Sequence, residues 1–312
     1  MRRFSAPMGL GNPHLQTVLN SVARKKFLPS RTTNFLSAGR DETFKVHGQN
    51  LSATLHRQPD LAAPMVAIIP GWLGSSQSTY VLSLGGALWE AGFSIARLTL
   101  RDHGDTAHMN EDMFNSALTS EVVAFVTRAL RGHERQGLLG FSLGGNFALR
   151  VAREIPDLST LAVCPAIEPA KTMSQIDKNI VYKRYFLNKW RQIWASKATR
   201  YPHRYRSSDI GHLNSISTLT EYFVSEQTSF PSLDTYFDAY DLSGDALDGV
   251  CAKILIAHDD PIIPFRQFAN LPDSITLDAT AQGGHGAYLE SWQLHSWLDD
   301  YVVDHFTQAF SD

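Results

Sequence analysis

Apolar residues follow two rhythms along the chain. The unbroken run at 65–69 has the length of a strand buried on both faces, and 93–100, 138–141, 159–164, 254–258 and 275–278 read as further strands. Between them, 79–91 and 114–130 repeat apolar positions at helical spacing, with Ser120 and Glu121 expected to face water. A closing amphipathic helix is expected over 288–310. Near the start, 44–46 and 51–56 alternate around Gly48-Gln49-Asn50, the pattern of a β-hairpin. Asn12-Pro13 reads as a helix cap followed by proline in the first turn, opening a short helix through about Arg24. Strands alternating with helices predict a mostly parallel sheet covered on both faces, in one domain over 1–312.

The rhythm breaks at about 165–248, which carries aromatic helical segments and turn signals but no buried-strand pattern. An insertion there, ahead of the last two strands, would form a helical cap over the carboxyl ends of the strands, where an α/β sheet keeps its site.

Composition narrows the function. The 312 residues are 43% hydrophobic and 19% charged, with a net charge of −3, which argues against a nucleic-acid binder. No apolar run reaches the length needed to span a bilayer, and the first residues lack the apolar core of a secretory signal. Cys164 and Cys251 are the only cysteines; both fall in strand-like stretches and read as buried free thiols, which suggests a cytoplasmic home. Oligomeric state is not legible.

Chemistry enters at Gly140-Phe141-Ser142-Leu143-Gly144, a G-x-S-x-G string between an apolar run and a helix-like segment. That is the setting of a nucleophile elbow, where strand and helix meet so closely that only glycine fits on either side of the serine. A serine hydroxyl needs a base, and the base an orienting carboxylate. In elbow folds they follow in the order Ser, Asp or Glu, His. His285, among glycines after the final strand, is the candidate base, with His103, His108 and His258 as rivals. Asp260 and Asp259 compete as the acid; the turn that follows favours Asp260, with Asp259 capping that turn. The oxyanion needs two backbone N–H donors, for which Leu143 and Trp72 are the candidates. Such chemistry requires neither cofactor nor metal.

These motifs together resemble the α/β-hydrolase fold, and within it the YheT-like branch. Asn12-Pro13-His14-Leu15-Gln16-Thr17 is similar to that branch's N-P-H-L-Q-T segment. The run from Gly71-Trp72-Leu73-Gly74-Ser75 to Tyr80 is similar to its H-G-L-x-G-S-x-x-S-x-Y segment, with Pro70 where the branch has histidine. Asp259-Asp260-Pro261 and Gly284-His285-Gly286 fit its acid and base segments, whereas Arg101-Asp102-His103-Gly104 matches its R-G-x-G turn only in part. The resemblance implies a carboxylic-ester hydrolase acting on a small ester or a lipid. Alternatives are a thioesterase or acyltransferase using the same residues, or a non-catalytic binding protein on the same fold.

The stretch 181–208 has no acidic residue and interleaves Lys and Arg with Phe186, Trp190 and Trp194. An aromatic stripe packed on the body beneath a solvated basic face accounts for it; the sharper reading is a cap that greets anionic substrates or touches a membrane surface. The Asp102–His108 loop is expected to border the site, where polar residues need no metal to explain them, and the H-x-x-x-x-D string from His295 to Asp300, known from some acyltransferases, falls in the closing helix and reads as surface chemistry.

Overall fold

In the computed structural model, residues 3–24, 28 and 31–311 are described, except for the side chains of 31 and 32. Eight strands form one sheet in the order β1-β2-β4-β3-β5-β6-β7-β8. They are β1 (Arg40–Val46), β2 (Gln49–His56), β3 (Met65–Ile69), β4 (Ser94–Thr99), β5 (Gln136–Phe141), β6 (Ser159–Val163), β7 (Ala252–Ala257) and β8 (Ile275–Thr280). β1, β2 and β4 pair antiparallel; every pairing from β4 through β8 is parallel. The expected α/β-hydrolase architecture is therefore present.

Local sequence explains the elements. Every residue of the continuous apolar β3 is buried, and so is every residue of β4, where the buried Arg97 donates to His56 Nε2 and Ser76 O. The hairpin turns at His47-Gly48, both with positive φ, one step earlier than the alternation suggested. α1 (Pro13–Val18) is capped by the Asn12 side chain, which accepts the Leu15 N–H, and continues as a π-helical turn over Leu19–Ala23. Around the sheet, α2 (Arg31–Ala38) and α10 (Trp297–Ala309) pack on α3 (Thr79–Glu90), while α4 (Thr119–Ala129) packs on α5 (Leu143–Glu154).

Three expectations are corrected. The helix read from 114 begins only at Thr119, and Glu121 is buried in an ion pair with Arg101 rather than facing water. The closing helix begins at Trp297, because Tyr288 and Leu294 adopt positive φ and Leu289 bridges to Ser296, whose hydroxyl then caps the helix. His295 thus precedes that helix. Cys251 is exposed; only Cys164 is a buried thiol.

Between β6 and β7 lie α6 (Pro169–Lys178), α7 (Ile180–Arg200), α8 (Ile216–Gln227) and α9 (Leu233–Asp238), with no strand among the described residues. A buried charge pair fastens α7 to the sheet's loops. Lys197 Nζ lies 2.7 Å from Asp102 Oδ1 and donates to the carbonyls of Asn110, Glu111 and Asp112. Asp102 adopts φ 63, where the YheT-like pattern has glycine, and asparagine and aspartate tolerate that conformation best. Burial pushes the Asp102 carboxyl up to about 6 against the pull of Lys197. Lys197→Met would keep the bulk but strand Asp102, so we expect a loss of about 3–5 kcal/mol in urea unfolding. A loss under about 1 kcal/mol would mean the pair merely breaks even against an apolar contact.

Candidate active site

Ser142 stands between β5 and α5 with φ 55 and ψ −115, a conformation that non-glycine residues adopt only under constraint. Its flanking glycines make the turn feasible. A Cβ on Gly140 would lie 2.1 Å from Gly144 O, and one on Gly144 2.2 Å from Ile69 O. The backbone is pinned by Ser142 N–H donating to Val163 O at 2.9 Å. The side chain is left facing a cavity, without a hydrogen bond among the described residues.

His285 sits on the loop after β8, and its Nδ1 lies 2.8 Å from Asp260 Oδ2. Asp260 is held in turn by Ile262 and Ile263 N–H groups, both donating to Oδ1. Asp259 instead accepts the Gly284 N–H at 2.9 Å. Geometry therefore sets Asp260 on the imidazole and Asp259 on the glycine turn beside it. Burial disfavours the His285 cation most, but the interactions with Asp260 and Cys164 together outweigh it and hold the imidazole's pKa well above the ordinary 6.5. The far nitrogen, Nε2, faces the sulfur of Cys164 at 4.0 Å. Burial pushes that thiol's pKa up, so it stays a thiol.

The N-terminal segment has a part that the motif alone did not disclose. Thr17 Oγ1 accepts the His285 N–H at 3.0 Å and donates to Pro13 O, while Gln16 bonds Leu10 O and both backbone groups of Leu289. The string that resembles N-P-H-L-Q-T is thus a buttress under the histidine loop.

After β3, the loop at 71–74 is closed by Gly74 N–H on Gly71 O and strained at Leu73, φ 58. Gly71 N–H is taken by the Tyr80 hydroxyl, whereas Trp72 and Leu143 N–H, like Leu73 N–H, have no acceptor among the described residues. Leu143 opens α5, whose dipole favours negative charge there. The Trp72 indole stacks on Phe186 and meets Trp190 edge-on, and Lys189 Nζ donates to Leu73 O at 3.1 Å. The insert therefore packs directly on this loop.

A cavity of about 290 Å³ opens above Ser142 and His285. Its wall is mostly apolar, with Met173, Ile176, Phe186, Trp190, Ile193 and Phe223 from the insert. Lys189 is the only Lys or Arg lining it among the described residues. His103 also lines it but is no rival base: it is fully buried, its Nδ1 is on Arg101 O, and burial lowers its pKa to about 4. His108 and His258 are exposed and do not line the cavity. No helix among the described residues is long and apolar enough to cross a membrane.

Comparison with known proteins agrees with this fold. The model of the alpha/beta hydrolase family matches residues 66–294. Among solved structures, the serine hydrolase CCSP0084 of Cycloclasticus zankles is similar at a TM-score of 0.58 and 14% identity, covering 88% of this chain and 100% of its own. Est1E of Butyrivibrio proteoclasticus, solved with ferulic acid, is similar at 0.58 and 15%, covering 87% and 100%. The Pyrococcus furiosus esterase Pf2001 gives 0.55 and 13%, covering 88% and 94%. Among curated proteins, no sequence matches the chain.

Proposed function

The chain belongs to the alpha/beta hydrolase family, and from that premise we propose that it is a serine hydrolase of carboxylic esters, with Ser142 as nucleophile, His285 as base and Asp260 as its orienting acid. The observation that carries the reading is the convergence of a strained serine at a helix N-terminus and a carboxylate-held imidazole on one apolar cavity. His285 Nε2 takes the Ser142 proton as Oγ attacks the ester carbonyl. The hydrogen bond between them, absent without substrate, forms as the complex tightens. Asp260 keeps the Nδ1 proton in place and stabilises the imidazolium. Trp72 and Leu143 N–H groups hold the oxyanion. The alcohol leaves with the proton from His285; water activated by the same imidazole then releases the acid.

The apolar wall supports an acyl chain as the part of the substrate under the insert, which serves as the cap. The Asn12–Thr17 and Gly71–Tyr80 strings support membership of the YheT-like branch. A cytoplasmic site of action belongs to the same reading, supported by two free cysteines. The decisive experiment is the rate of ester hydrolysis with and without the Ser142 hydroxyl.

Cys164 also meets His285, so a thiol nucleophile is the reading to separate from this one. Ser142 lines the cavity and Cys164 is fully buried off it, which favours the hydroxyl. Cys164→Ser should leave kcat/KM for a short ester within about threefold, well under the roughly hundredfold or more that losing an acting group costs. A fall beyond about a hundredfold would transfer the nucleophile's role to the thiol.

A further inference from the structure

Side chains that both line the cavity and stand exposed mark its mouth. They are Val18 and Val22 on the N-terminal helical segment, 37% and 69% exposed, and Val181 and Tyr185 on α7, 58% and 42% exposed. The two segments touch, His14 Nδ1 lying 2.9 Å from the Tyr182 hydroxyl. Leu15 and Ile180 extend the same apolar rim. These six make up most of the ten large apolar side chains exposed among the described residues, so the exposure is concentrated at the opening rather than scattered.

The two segments that carry these side chains are charged with one sign. Neither residues 1–40 nor residues 178–208 contain an Asp or Glu, in a chain whose net charge is −3. Lys178 at the end of α6 and Lys183 and Arg184 on α7, near Val181 and Tyr185 in the chain, have no ion-pair partner among the described residues. An apolar rim set in basic residues matches an anionic lipid surface, where aliphatic side chains enter the acyl boundary and ammonium and guanidinium groups meet the headgroups. A nucleic-acid backbone would use the charge but not the valines and isoleucine. The rim also continues directly into an apolar cavity, so an acyl chain could pass from bilayer to Ser142 without crossing water.

We infer that the chain docks this mouth on an anionic phospholipid surface and draws its ester from there. The inference rests on the ester-hydrolase reading for its substrate but not for its surface. The test uses the full chain carrying Ser142→Ala, floated with vesicles of phosphatidylcholine alone and of phosphatidylcholine mixed with phosphatidylglycerol. We expect binding to the anionic vesicles to exceed binding to the neutral ones by at least about tenfold. The triple change Ile180→Glu, Lys183→Glu, Arg184→Glu should remove about tenfold or more of that binding. In the chain with Ser142 intact, it should leave turnover of a short water-soluble ester unchanged, which also certifies the fold. A glutamate at Ile180, the first residue of α7, suits the helix dipole and Arg184 is exposed, so the change carries little folding risk. Should the variant fail to fold, raising the salt must release the wild-type chain from anionic vesicles, because exposed charges are screened. Equal binding to both vesicle types, binding unaffected by the triple change, or binding insensitive to salt overturns the inference. Binding as expected with no ester cleaved in solution or in vesicles keeps the surface and removes the ester reading. Turnover without binding does the reverse.

Discussion

Ser142→Ala should lower kcat for a simple ester by about 10⁴- to 10⁶-fold and abolish labelling by a fluorophosphonate probe. The size follows from what the hydroxyl does in the proposed mechanism: without it no acyl-enzyme forms, and only binding and the oxyanion donors still assist attack by water. The control is internal. Alanine keeps the Cβ and inherits the same φ of 55, so the strain at the turn is unchanged and the fold should melt as before. A variant retaining more than about a tenth of the wild-type rate would remove Ser142 from the chemistry. A wild-type chain that folds but neither labels nor turns over would favour the binding-protein reading.

The second large effect concerns Asp260. Asp260→Asn should cost about 10³- to 10⁴-fold in kcat, because the amide cannot hold the Nδ1 proton in the productive tautomer. It should also move the pH profile, in a direction fixed by the groups around the imidazole. The base works in its neutral form. Asp260 stabilises the cation, so in the wild type kcat/KM rises with pH through a midpoint above the ordinary histidine 6.5. Without that carboxylate, burial dominates and disfavours the cation, so the midpoint shifts to lower pH. Asp259→Asn leaves the Asp260–His285 bond in place and weakens only the acceptor for Gly284 N–H. It should cost no more than about tenfold and leave the midpoint alone. Equal losses from both variants, or a midpoint that stays fixed in Asp260→Asn, would refute the division of labour between the two carboxylates.

The two aspartates also show how far the chain could be read without coordinates. Order and spacing located both and favoured Asp260, whose Oδ2 lies on the histidine while Ile262 and Ile263 N–H hold its Oδ1. Buried strands were legible because a strand covered on both faces has a continuous apolar signature that nothing exposed shares. Helix starts were harder. Apolar spacing runs through Phe114 and Tyr288 into residues whose backbone is diverted, by Asp102 accepting Phe114 N–H in one case and by positive φ in the other. Ser296, followed by Asp299 and Asp300, was a start signal in plain view that the apolar rhythm overrode. Glu121 escaped because a charge is read as exposed until its partner is known, and Arg101 lies on a different element. The support of His285 by Thr17 escaped for the same reason: a threonine carries no mark of which distant amide it will accept from.

That last bond has a bearing on how the molecule comes into being. It joins positions 268 apart, and Leu10 is buried with Ala287, Leu289 and Leu294 in a cluster of its own. A chain emerging from the ribosome makes its first helix early but cannot seat it until nearly all the rest has been synthesised. Until then an apolar segment waits without its partner, the kind of exposure in which larger chains are captured by chaperones or misassemble. The contact is among the most non-local the chain can make, so loop-closure entropy makes it a late step. On the proposed mechanism the elbow can form before His285 is seated against Thr17, and hydrolysis would await that contact.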